Sequence, residues 1–118
     1  MPPLGRQILA DLYACDPAVL GDAAAIEAHM LEAARRSGAT IVAHNFHRFA
    51  PHGVSGVVVI AESHLAIHTW PERRFAALDL FTCGDALRSE PCFDYLVRVL
   101  GSARHTITAV SRGEAALG

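Results

Sequence analysis

Residues 54–82 read VSGVVVIAESHLAIHTWPERRFAALDLFT, and this stretch decides the fold. Val54 to Ala61 is rich in Val and Ile, side chains that suit a pleated surface, and is predicted as a buried strand. Leu65 to Trp70 is a second, shorter strand ended by Pro71. Phe75 to Thr82 is a third, ended by Gly84-Asp85. On the N-terminal side, Pro51-His52-Gly53 marks a turn, and Thr40 to Phe49 is a strand before it. Earlier still, Asp16-Pro17 reads as a helix start, and Val19, Ala23, Ile26, Met30 and Ala33 continue one helical face to a stop at Gly38. Arg6 to Tyr13 alternates as a first strand. On the C-terminal side, Phe93, Leu96, Val97 and Leu100 fall at helical spacing within Pro91 to Leu100, and Arg104 to Ser111 is the last strand. The order predicts an α+β fold, a two-layer sandwich with two helices on one face of a mostly antiparallel sheet.

With 118 residues the chain makes one domain, residues 1–118, large enough to bury a core without staples. A hydrophobic share of 52% argues against disorder, and a net charge of −2 with no basic stripe argues against nucleic acid as a partner. The three cysteines, Cys15, Cys83 and Cys92, are odd in number and form no CxxC pair, so neither a disulfide framework nor a structural zinc site is expected. No apolar signal core precedes Asp11, and no run approaches the ~18 apolar residues that span a bilayer. A soluble, cytoplasmic protein with no membrane partner is the expectation.

The segment AESHLAIHTWPE, residues 61–72, sets Glu, Ser, two His and Trp between apolar strands. On a strand His64 and His68 share one face, with Ser63 and Ile67 on the other, unless a bend at 62–64 breaks the alternation. His44, His47, His52, His64 and His68 supply five imidazoles, but no HExxH organises them, so no metal is expected. No GxSxG elbow supports a hydrolase, and no GxGxxG or P-loop supports a nucleotide site. On residue types alone, Ser63 reads first as a turn residue, the histidines as hydrogen-bonded bystanders and Cys83 as a small buried side chain.

The longer pattern changes that balance. FHRFAPHGVSGVVVIAESHLAIHTWPE followed by ALDLFTCG, with LGRQILADLYACD before it, resembles the prokaryotic S-adenosylmethionine decarboxylases over nearly the whole chain. The resemblance implies a proenzyme that cuts itself between Glu62 and Ser63 into residues 1–62 and 63–118. Ser63 matches the serine whose hydroxyl attacks the Glu62 carbonyl and which becomes a covalent pyruvoyl group, the cofactor. His68 matches the histidine used in processing, and Ser55 a serine that assists it. Cys83 matches the acid that protonates the substrate carbon. Glu72 matches a ribose-binding carboxylate, Phe49 and Trp70 match aromatic contacts of the adenine or sulfonium, and Leu65 matches a further substrate contact.

These implied roles suit the chemistry. A Schiff base between substrate amine and ketone delocalises the electrons that CO2 leaves behind. A thiol of ordinary pKa, near ~8.5, is still mostly protonated at neutral pH and can donate. An aromatic face attracts a sulfonium cation. The resemblance further implies a homodimer whose sites draw on both chains, with Phe49, Trp70 and Glu72 facing the partner copy's residue 63, and a place in spermidine synthesis. It departs from the family at Arg73-Arg74-Phe75, where many relatives carry aromatic and glycine residues. Two alternatives follow: an arginine or ornithine decarboxylase on the same scaffold, and a non-enzymatic small-molecule-binding relative.

Overall fold

The computed structural model describes residues 3–61, 63–83 and 87–114. Six strands form one sheet: β1 (Gly5–Tyr13), β2 (Ile41–Arg48), β3 (Val54–Ile60), β4 (Ser63–Trp70), β5 (Phe75–Thr82) and β6 (Arg104–Arg112). Their order across the sheet is β2-β3-β4-β5-β1-β6, and every pairing is antiparallel. The predicted α+β sandwich is the observed one. Three helices lie on one face, α1 (Pro17–Leu20), α2 (Ala23–Arg36) and α3 (Ser89–Val99), where the sequence predicts two.

The extra helix comes from a break in the first predicted one. The Asp16 carboxylate accepts the Ala18 N–H and starts α1. Six residues later Asp22 accepts the Ala25 N–H and starts α2. A second strong N-cap inside an otherwise continuous apolar stripe divides the helix without changing the face it buries. Ser37 then closes α2, with Arg35 and Arg36 in its last turn, where cations complement the helix dipole.

Alternation along the strands sorts side chains into two layers. Ile8, Ala10, Leu12, Val58, Ile60, Leu65, Ile67, Leu78 and Leu80 face the helices and meet Ile26, Met30, Phe93 and Leu96 in a single core. The opposite residues of each strand stand on a face that no element among the described residues covers. Leu9, Val59, Trp70 and Val110 lie there, each about two-fifths exposed. Polar and aromatic side chains occupy the rest of this open face, among them Ser55, His64 and His68.

Candidate active site

Ser55, His68 and Trp70 sit together at one end of the open face. Register pairs Ser55 with His68 directly across β3 and β4. Ser55 Oγ and His68 Nδ1 are 2.8 Å apart, a hydrogen bond between hydroxyl and imidazole. The Trp70 ring lies 6.4 Å from that of His68 and 5.4 Å from that of Phe75, which continues the row to Tyr13 at 5.3 Å. Phe49 follows β2 at the same end, its ring 4.5 Å from that of His47. Glu72 follows Trp70 in a single 3-10 turn, Pro71–Arg73, with its side chain exposed. Trp70 is 39% exposed and Phe49 47%, so neither is a core side chain.

The GVSG motif holds this end in shape. Gly53 has φ +102, and a Cβ there would press on the Thr69 carbonyl. A Cβ on Gly56 would collide with the Phe46 ring, which lies flat against the backbone beside Ser55. Buried Thr69 finishes the frame: its hydroxyl accepts the Val54 N–H at 2.9 Å and donates to the Leu20 carbonyl at 2.9 Å. Sequence reasoning passes over Thr69, because a threonine in a strand is ordinary until its two partners are seen.

Ser63 and Cys83 lie at the other end. Ser63 opens β4, opposite Ile60, and is half-buried. His64 pairs with Phe81, so Cys83, just past the end of β5, comes to the same end of the sheet as Ser63. Five residues of strand separate Ser63 from His68, about 16 Å at the usual rise, and the odd spacing turns them to opposite faces. The residues expected to act together thus form two groups at opposite ends of the sheet. Glu62, the other side of the expected cut, lies outside the described residues, as does Gly84 of the TCG motif.

Two further expectations are refined by the geometry. The Leu65 side chain has no exposed surface and points into the core, so its side chain cannot be the substrate contact expected of it, and only its backbone is available. Arg73 and Arg74 are both exposed. Among the described residues no three His, Cys, Asp or Glu side chains converge on a metal position. His44, one of the five imidazoles, faces the helices and pairs with Glu27 at 3.1 Å.

Sequence reasoning also misses a polar chain at the Ser63 end. The Asp79 carboxylate accepts from Gln7 Nε2 at 3.0 and 3.1 Å, while Gln7 Oε1 accepts from Arg112 at 2.6 Å. His64 Nε2 stands 3.8 Å from Asp79 and its ring stacks on Phe81. The signal available was Asp79 itself, a carboxylate alternating with Leu78 and Leu80 in an apolar strand.

Burial separates the thiols. Cys92 is pushed up to about 12 by desolvation, and Cys15 is raised by the same cause. Cys83 is half-buried at the strand end.

Comparison with known proteins identifies relatives of the chain. The family profile for S-adenosylmethionine decarboxylase matches residues 6–113. A relative from Acidithiobacillus ferrooxidans, named S-adenosylmethionine decarboxylase proenzyme, is 50% identical over 97% of this chain and 86% of its own length. One of the same name from Fervidobacterium nodosum is 54% identical over 97% and 83%. The crystal structure of the adenosylmethionine decarboxylase from Aquifex aeolicus superposes with a TM-score of 0.88 at 34% identity, covering 96% of this chain and 93% of that one. A Trypanosoma brucei AdoMetDC chain, at 18% identity and TM-score 0.66, shares the fold. With a profile match across almost its entire length and half its residues shared with such relatives, the chain belongs to the S-adenosylmethionine decarboxylase family.

Proposed function

We propose that this chain is a proenzyme that cuts itself between Glu62 and Ser63, carries a pyruvoyl group at position 63, and decarboxylates S-adenosylmethionine in the cytoplasm as a step toward spermidine. The observation that carries the reading is the separation of these residues into two complementary groups at opposite ends of the sheet, Ser63 with Cys83 and Ser55 with His68. Neither group is a site alone. A two-fold pair of chains stacked by their open faces would set one copy's Ser63 end over the other's His68 end, twice. Each homodimer would then hold two complete sites. Three unpaired cysteines suit a reducing compartment.

The cut uses only groups of the chain. The Ser63 hydroxyl adds to the Glu62 carbonyl, the peptide C–N bond breaks, and an ester joins Glu62 to the Ser63 side chain. Loss of the residue-63 α proton expels the Glu62 carboxylate and leaves dehydroalanine, whose hydrolysis gives a ketone and ammonia. A hydrogen-bonded Ser–His pair such as Ser55–His68 is suited to moving these protons. Ser63 fits the part because it opens a strand: the bond to be cut lies just before β4, and position 63 stays anchored by its pairing with Ile60.

The pyruvoyl group supplies an electron sink for substrate decarboxylation. The other residues bind and move protons. Cys83 holds a proton for the substrate carbon at the Ser63 end. Trp70 and Phe49, exposed on the open face, offer flat surfaces to the adenine and the sulfonium. Glu72 offers two carboxylate oxygens to the ribose hydroxyls.

Intact mass under denaturing conditions should give two fragments for wild type and one chain for Ser63→Ala. CO2 release should favour S-adenosylmethionine over arginine and ornithine by kcat/KM. A wild type that stays whole at neutral pH, or a clear preference for ornithine or arginine, would overturn the reading.

A further inference from the structure

The proposed cut creates two new chain ends in the middle of a sheet, and chain ends fray unless something holds them. The end on the β3 side is secured by backbone and core: the Ala61 N–H donates to the Thr40 carbonyl at 3.0 Å, and Ile60 is 1% exposed. The end on the β4 side begins at residue 63. There the first side chain in a position to hold it on the open face is His64.

His64 has neighbours on two sides. Its ring lies parallel to that of Phe81, directly opposite on β5, with centroids 5.9 Å apart and planes 16° off. Its Nε2 stands 3.8 Å from Asp79 Oδ2. Asp79 is itself fixed, since both oxygens accept from Gln7 Nε2. Gln7 cannot turn over, because its Oε1 accepts from Arg112. One residue from each of four neighbouring strands, β4, β5, β1 and β6, completes this chain. Isolated exposed polar contacts contribute little. The approach of His64 to Asp79 ends a connected row, and it ends beside the bond to be cut.

Resting on the self-cleavage reading, we propose that His64 is a positioning residue: a clamp, set by Arg112, Gln7 and Asp79, that keeps the new chain end at residue 63 in the sheet near Cys83 after the cut. Before the cut the β3–β4 turn does that work, so the clamp matters only in the processed protein. Its side chain faces away from the Ser63 side chain by alternation, so His64 takes no part in the bond-breaking itself.

The distinguishing experiment is amide exchange at His64, Leu65 and Ala66, compared between cut and uncut chains. In cut protein, His64→Ala should speed exchange there by about tenfold, the loss of one stacked pair and the contact with Asp79. His64→Phe, which keeps the stack, should recover most of that protection. In the uncut Ser63→Ala background, His64→Ala should leave the same amides within about twofold. The rate of self-cleavage, followed by mass, should be near wild type in His64→Ala. Equal loosening in cut and uncut chains would make His64 an ordinary surface contact and overturn the clamp, as would unchanged exchange in the cut variant. A His64→Ala chain that no longer cuts would also overturn it, by placing His64 in the cleavage step. Intact mass separates the two readings: an uncut wild type removes the self-cleavage proposal and the clamp with it, whereas a cut wild type with an insensitive His64 removes the clamp alone.

Discussion

Two chains that cannot cut themselves should cut when mixed. Ser63 and His68 are five strand residues apart, about 16 Å, and face opposite ways, so one chain cannot bring them together. If each site takes Ser63 and Cys83 from one copy and Ser55 and His68 from the other, Ser63→Ala and His68→Ala chains complement each other. Random pairing of the two yields about half mixed dimers, each with one complete site, or about a quarter of all sites. The fragments must come from the His68→Ala chain alone, about half of which should be cut. Alone, His68→Ala should process roughly 10²–10⁴-fold slower than wild type, the usual scale for losing a general acid or base. The assay is co-expression of the two variants with tags of different mass, followed by intact mass under denaturing conditions. A mixture in which neither chain is cut, or a lone His68→Ala chain that cuts at the wild-type rate, refutes the shared site.

Thiol reactivity gives an independent check. The thiolate is the reactive form, so at pH 8 Cys92, pushed up to about 12, should stay unlabelled along with buried Cys15, and native protein should take up one alkyl group, on Cys83. Gly56→Ala should cost roughly 1–3 kcal/mol in urea unfolding, because the new methyl meets the Phe46 ring. Arg74→Gly should stabilise by about 1 kcal/mol in the same assay, since Arg74 holds φ +52, a conformation glycine adopts freely. After processing, the two fragments should co-elute on native size exclusion and separate only in denaturant.

The fold was readable because β1, β4 and β5, strands over the core, kept their alternation. Phe75–Thr82 is predicted and observed with the same bounds, its Ala76, Leu78, Leu80 and Thr82 facing the core. The split between α1 and α2 was not readable from periodicity, since Val19, Ala23 and Ile26 continue one stripe across it. Asp22 was the mark of a second cap. At the site, even spacing put His64 and His68 on one face, as the structure has them. What sequence could not provide was distance along the strand as a constraint: a motif as compact as ESHLAIHTWPE suggests one cluster, whereas an extended strand spreads it over the length of the sheet. Nor could it show that Asp79, Gln7, His64 and Arg112, scattered from 7 to 112, form one row, because only the strand order makes them neighbours.

That strand order also explains how a cut at 62–63 can be tolerated. The described residues before it contribute β1, β2 and β3, and those after it β4, β5 and β6. In the sheet these do not form two blocks. The order β2-β3-β4-β5-β1-β6 places β1 between β5 and β6, so the first fragment is threaded into the second. Three ladders cross the cut: β3 with β4, β5 with β1, and β1 with β6. The helix layer crosses it too, since α2 of the first fragment packs on α3 of the second. Separating the fragments therefore means dismantling most of the sheet and the core beneath it, which is close to global unfolding. A cut there would sever the link between β3 and β4, and both of these would remain interior strands, each paired on two sides. A backbone break is cheapest where the chain is already held by its neighbours, and the interleaved order puts such a place at residue 63.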